Sequence, residues 1–200
     1  MLKDTFRQLL QSKVTNDNNT PLPLYKEESE FAEKHGLITD LKVNIIETTS
    51  NDRFENAYIE RSDKESENTI STEEYLFLNQ PVSHFKKNMN EFIYVESDWF
   101  EMLGVDAVSL EIDDIFGTYD VLLGLRLQKK LESEIRAYIQ KNMPEEARYS
   151  LMFNNDEGLW ELNFSLNFVA GFNEDMSIGD AYKMIYLFLF KLVEAAEQGR

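Results

Sequence analysis

The chain has 200 residues, 42% of them hydrophobic and 12% aromatic, enough for one domain, or one with a smaller N-terminal part, to bury a core without covalent staples. It has no cysteine, which excludes disulfides, thiolate metal ligands and a cysteine nucleophile and fits a reducing compartment. A formal net charge of -17, from 20 basic and 37 acidic residues, repels phosphate backbones and anionic lipid, so neither nucleic acid nor membrane is an expected partner.

The start, Met1-Leu2-Lys3-Asp4-Thr5-Phe6, turns polar too soon for a secretory leader. The longest apolar run, Met184 to Phe190, is far short of the ~20 residues a bilayer-spanning helix needs. We therefore expect a cytoplasmic protein. Its acidity points to a basic partner or, more simply, to a solvated, self-repelling surface.

In chain order, residues 1–13 read as an amphipathic helix, with Leu2, Phe6, Leu9, Leu10 and Val14 on one stripe. Asn16 to Pro21 is a loop by composition. A short helix is predicted from Tyr25 to His35, stopped by Gly36. Residues 41–61 are ambiguous: Leu41, Val43 and Ile45 alternate as in a strand, while Phe54, Ala57 and Tyr58 fit a helix and Phe54, Asn56 and Tyr58 a strand; a hairpin with Thr49-Ser50-Asn51-Asp52 as its turn is preferred. Residues 60–74 hold almost nothing apolar besides Ile70, which predicts a mobile acidic loop.

Two short helices are then predicted. Ser71-Thr72-Glu73-Glu74 has capping-box spacing, and Pro81 suits the first turn of a helix reaching Asn88. Phe92 to Val95 reads as a buried strand. Asp98-Trp99-Phe100-Glu101 opens a brief helix that Gly104 ends.

From Val108 onward the pattern repeats at an offset of 41. Ser109, Leu110, Gly117 and Leu125 recur as Ser150, Leu151, Gly158 and Leu166, and Tyr119, Asp120 and Val121 as Trp160, Glu161 and Leu162. In each copy the second strand alternates: Tyr119, Val121, Leu123, Leu125 and Leu127, then Trp160, Leu162, Phe164, Leu166 and Phe168. The opposite face of the second copy is polar throughout: Glu161, Asn163, Ser165 and Asn167. Gly117 and Gly158 sit where a hairpin turn needs positive φ.

A helix follows each hairpin. The first is marked by Leu127, Leu131, Ile135, Tyr138 and Ile139, with Pro144 beyond it; the second starts near Ser177 with Asp180 as a capping partner. Duplication is the preferred account, and two ordinary hairpins with similar patterning the alternative. The second helix is apolar all round over 184–190, so it needs cover on more than one side. We expect the N-terminal segment to supply that cover, with a homodimer through this C-terminal helix as the other option.

The expected fold class is therefore α+β: an antiparallel sheet from a duplicated ββα unit, helices on one face, and a mainly helical N-terminal segment. The expected division is 1–104 and 105–200 within one compact domain.

Catalytic signatures are absent: no dinucleotide or P-loop glycine motif, no nucleophile elbow and no zincin motif. The 2 histidines, His35 and His84, read as ordinary residues rather than bases. Asp113, Asp114 and Asp120 could hold a hard cation, but turn hydrogen bonding explains them, and Asn154 and Asn155 in the second copy, without a metal. Glu96, Asp98 and Glu101 could exchange protons, although capping explains the last two. Trp99 and Phe100 read as core. No catalytic, cofactor or metal residue is nominated.

Glu91-Phe92-Ile93-Tyr94-Val95-Glu96-Ser97-Asp98-Trp99-Phe100, with Phe116-Gly117-Thr118-Tyr119-Asp120, resembles an uncharacterised bacterial family, some members of which are labelled branched-chain amino-acid aminotransferase. The label implies pyridoxal phosphate on a Schiff-base lysine; the chain shows no glycine-rich phosphate cup. The expected function is instead non-catalytic binding of a basic partner, in the manner of an immunity protein or antitoxin. The alternative is a small-molecule binder or enzyme with a cleft between the two ββα halves.

Overall fold

The computed structural model describes residues 1–13, 22–38, 45–47 and 52–198. Two units are separable, Met1–Asp52 and Arg53–Arg200.

In the first unit, helix α1 (Leu2–Lys13) precedes strand β1 (Leu22–Leu24), helix α2 (Lys26–Lys34) and strand β2 (Ile45–Glu47). The α1 stripe buries Leu2, Phe6 and Leu10, and the Phe6 ring meets Phe31 of α2 edge-on at 5.6 Å. Gly36, at φ 63°, turns the chain off α2. Its amide bonds the Glu33 carbonyl and that of Leu37 bonds Ala32, a paired closure only a left-handed residue permits. Of the hairpin expected over 41–61, Leu41 and Val43 lie outside the described residues, and Ile45–Glu47 pairs in parallel with β1 rather than with a hairpin partner. Val14, the 16–21 loop and Thr49 to Asn51 of the expected turn lie outside the described residues.

The second unit is built on one antiparallel sheet. Its strands are β3 (Tyr58–Asp63), β4 (Thr69–Glu73), β5 (Glu91–Glu96), β6 (Val105–Ile112), β7 (Tyr119–Leu125), β8 (Tyr149–Asn154) and β9 (Leu159–Ser165), in the order β4-β3-β5-β6-β7-β9-β8. Helices α3 (His84–Lys87), α4 (Asp98–Met102), α5 (Glu132–Asn142) and α6 (Ile178–Gln198) complete it. The boundary expected at 104/105 falls between two paired strands, β5 and β6, so the break lies at Asp52/Arg53 instead.

The loop expected at 60–74 is a β-hairpin, β3–β4, with Glu67 at φ 56° in its turn. Polar pairing replaces apolar burial here. Arg61 donates to Glu73 Oε1 at 2.8 Å, Glu91 Oε2 at 3.1 Å and Ser71 Oγ, tying three strands together. Ser71 bonds Glu73 within β4, so it caps no helix; a 3-10 turn, Tyr75–Asn79, follows. The α4 cap is Ser97, whose Oγ accepts the Trp99 amide, one residue before the expected Asp98.

The two C-terminal hairpins share one register. Ser109 faces Leu122 and Ile112 faces Tyr119 in β6–β7; Ser150 faces Asn163 and Phe153 faces Trp160 in β8–β9. Their turns match too. Asp113 Oδ1 accepts the Ile115 and Phe116 amides, and Asn154 Oδ1 accepts those of Asp156 and Glu157. Gly117 and Gly158 close these turns at φ 65° and 71°. Leu122 and Asn163 oppose each other across β7–β9, so the order β6-β7-β9-β8 is symmetric about that rung.

β9 ends at Ser165, short of the expected Phe168, and a 3-10 turn takes over. There the Asn167 side chain accepts the Tyr119 amide at 2.7 Å in place of the next backbone rung.

One face of the sheet carries the core. Val108, Leu110, Tyr119, Val121, Leu125, Trp160, Leu162 and Phe164 are at most 2% exposed. Helix α6 lies on this face: Tyr182 donates to the Ile93 carbonyl at 2.6 Å, and Phe188 packs on Phe164 at 4.9 Å. Ser177 and Asp180 form the expected capping box at its start. The apolar circumference of α6 is also covered by Tyr138 of α5 and, from earlier in the chain, by Phe54, Trp99 and Phe100. At the margin of the sheet, Arg136 of α5 donates to the Leu151 carbonyl of edge strand β8 at 3.0 Å.

Candidate functional site

The second face of the sheet bears no helix of this unit, and its side chains are set by strand parity. One row across β3, β5, β6 and β7 reads Glu60, Tyr94, Ser109, Leu122; the next reads Ser62, Phe92, Glu111, Asp120; a third begins Tyr58, Glu96, Ala107. In the first and third rows, large residues on β3 and β5 stand beside Ser109 and Ala107 on β6. The step in height, on a twisted sheet, leaves a hollow of about 720 Å³ lined by Tyr58, Glu60, Lys64, Phe92, Tyr94 and Glu96, with Ser109, Glu111 and Leu122 as its floor.

Tyrosines and glutamates form a checkerboard in this hollow. Tyr58 lies opposite Glu96, and Glu60 opposite Tyr94. Along each strand the tyrosine donates to the glutamate two residues on: Tyr58 to Glu60 at 2.5 Å and Tyr94 to Glu96 at 2.8 Å. Ser62 adds a second donor to Glu60 at 2.6 Å. Hydrogen bonds from Ser62 and Tyr58 hold the Glu60 carboxyl below its usual range. Bonding to Glu60 raises the Tyr58 phenol, and burial with the Glu96 contact pushes Tyr94 up to about 12. The Glu60 carboxylate is thus fixed in place and charged at neutral pH, and Tyr94 orients that of Glu96, both beside aromatic rings.

Among the described residues, Lys64 is the one cation lining the hollow. Its Nζ is committed to the Ile112 carbonyl and, at 3.1 Å, to Asp114. Glu111 is half-buried, and desolvation raises its carboxyl; Asp120, directly opposite on β7, is raised for the same reason. Pyridoxal phosphate, implied by the aminotransferase label, does not fit these residues. Its phosphate would meet Glu60, Glu96 and Glu111, and Lys64 is already engaged.

Glu96, Asp98 and Glu101 are brought together around an adjoining hollow of about 400 Å³, which also takes in Tyr58 and Asp106. Asp106 is neutralised by Arg126 at 2.5 Å. Phe100 joins the core and stacks on Phe54 at 5.3 Å, whereas Trp99, expected there too, is only half-buried, with the Arg53 guanidinium 4.7 Å from its ring centre. His35 packs on Phe31 at 4.4 Å. His84 bonds Gln80 and Asn88, and burial lowers its pKa.

The three aspartates of the first hairpin do not converge. Asp113 is consumed by its turn, Asp114 faces Lys64, and Asp120 accepts from Thr118 at 2.9 Å. Among the described residues no group of three or more histidine, aspartate or glutamate side chains is placed to hold a metal ion. No helix among them is long and apolar enough to cross a membrane.

Sequence reasoning missed Tyr58, Glu60, Phe92, Tyr94 and Glu111. The alternations Tyr58/Glu60/Ser62 and Phe92/Tyr94/Glu96 carry the signal, once both segments are taken as strands with one solvated face. No protein-family model, no curated protein and no solved structure matches this chain.

Proposed function

We propose that this is a non-catalytic binding protein that takes a basic partner onto the open face of its sheet, as an immunity protein or antitoxin masks a cationic surface. The observation that carries this reading is the checkerboard of Tyr58, Glu60, Tyr94 and Glu96. Carboxylates already oriented by hydrogen bonds accept guanidinium or ammonium donors with little reordering, and ring faces beside them attract the same cations. The net charge of -17 adds long-range attraction for such a partner. A cysteine-free chain suits action in the cytoplasm.

The frame of the site suggests its origin. The shared register and matching turns of the two C-terminal hairpins support descent of β6-β7-α5 and β8-β9-α6 from one duplicated ββα unit.

The test is titration of the full chain with an arginine-rich peptide, read by calorimetry at low and high salt. Saturable binding that weakens with salt, and falls at least tenfold in a Glu60→Lys/Glu96→Lys double variant, is expected. A Glu145→Lys/Glu146→Lys control, also removing two carboxylates, should bind nearly as the parent does. Equal loss in both variants would reduce the effect to net charge and end the proposal.

A further inference from the structure

A further concavity, of about 420 Å³, lies between α5 and α6. Its chemistry is unlike that of the sheet face. The floor is apolar, from Tyr138 of α5, Met176 in the preceding loop, and Met184, Leu187 and Phe188 of α6. Its two methionines, Met176 and Met184, give it a surface that can re-pack around an irregular guest.

The polar groups at its rim are not equivalent. Asp180 is occupied by the α6 capping box and by Lys183 at 3.1 Å, so that end is locally neutral. Asn142 spends its amide on the Tyr138 carbonyl at 2.8 Å. Lys191, exposed on the same face of α6, makes no hydrogen bond or ion pair among the described residues. The groove therefore has a neutral end, an apolar floor and, among the described residues that line it, one cation without an ion pair, Lys191; Glu194, one turn further along α6, acts on Tyr138 of the floor. Asp180 and Lys191 are separated by roughly 16 Å at about 1.5 Å per helical residue, the reach of a medium-length alkyl chain.

From this gradient we infer that the α5–α6 groove binds an unbranched aliphatic carboxylate, its tail along Met184, Leu187 and Phe188 and its head on Lys191. In a chain of net charge -17, anions are repelled from most of the surface, so a free ammonium beside an apolar floor marks where one can settle. The site uses no residue of the sheet-face hollow and stands or falls apart from it.

The probe is dodecanoate, titrated below its micelle concentration into the full chain and followed by calorimetry and by amide chemical shifts. Dodecyltrimethylammonium, with the same tail and the opposite head, is the comparison. Saturable 1:1 binding of dodecanoate is expected, with shifts confined to α5, α6 and the loop before α6. Lys191→Glu should weaken it about tenfold, one desolvated charge contact. Ala170→Trp, on the exposed rim, should obstruct it, while the exposed Lys130→Glu control should bind as the parent does. Equal affinity for both amphiphiles, indifference to Lys191→Glu, or shifts spread over the sheet face would each overturn the inference.

Discussion

Glu111 and Asp120 stand directly opposite each other on β6 and β7, two half-buried carboxylates on adjacent central strands. Like charges at facing positions oppose strand pairing, and desolvation has raised both groups above their ordinary pKa values. A carboxyl raised on folding binds its proton more tightly in the folded chain. The penalty is therefore full above the folded pKa and disappears as pH falls to the unfolded value.

Glu111→Gln should accordingly stabilise the protein at pH 7, by about 0.5–1 kcal/mol on the scale of cross-strand pairs. The gain should shrink at pH values near the ordinary carboxylate range. Urea denaturation of parent and variant at both pH values measures it; a gain independent of pH would refute the electrostatic origin.

Tyr119 is wholly buried between Phe85 and Phe172, and its hydroxyl has no hydrogen-bond partner among the described residues. Burial pushes its pKa up to about 12. An unsatisfied buried hydroxyl costs on the order of 1 kcal/mol or more. Tyr119→Phe removes that cost and leaves the ring contacts, so its thermal midpoint should rise; a fall would mean the hydroxyl has a partner.

Gly117 and Gly158 close equivalent turns at φ 65° and 71°, and a Cβ at either would touch nothing within 4 Å. Their replacement by alanine therefore isolates backbone strain. Gly117→Ala and Gly158→Ala should each destabilise by about 1–2 kcal/mol, and by nearly equal amounts. Denaturation midpoints that differ widely between the two would show that the turns are not energetically alike.

Ser177 Oγ accepts the Asp180 amide at 3.0 Å at the start of α6. Ser177→Ala should cost about 1 kcal/mol. Ser97→Ala, at the head of five-residue α4, should cost less, because a helix that short draws its order from Phe100 and Met102 in the core. Hydrogen exchange of the first-turn amides separates the two cases.

Much of this architecture is legible in the order of residues. Period-two alternation from Tyr119 to Leu125, glycines at positive φ, and the stripes of α1, α5 and α6 each encode a local rule that packing then obeys. The failures share a cause. The β3–β4 hairpin is held by Arg61 reaching Ser71, Glu73 and Glu91, contacts between residues distant in sequence that no local pattern reveals. Parallel pairing of Leu22–Leu24 with Ile45–Glu47 is equally non-local. The site was missed for the same reason: Tyr58, Glu60, Tyr94 and Glu96 converge only after β3 and β5 pair, and an expected loop at 60–74 takes Glu60 out of any strand.

The guanidinium of Arg136, resting on the Leu151 carbonyl, has a consequence for how these molecules behave together. An outermost strand with vacant backbone acceptors invites another molecule to extend the sheet, and runaway stacking follows. Here an incoming strand must first evict a charged side chain anchored on a helix, and Glu132 holds that side chain at 2.9 Å. This guard disfavours the sheet recruiting copies of itself along that border.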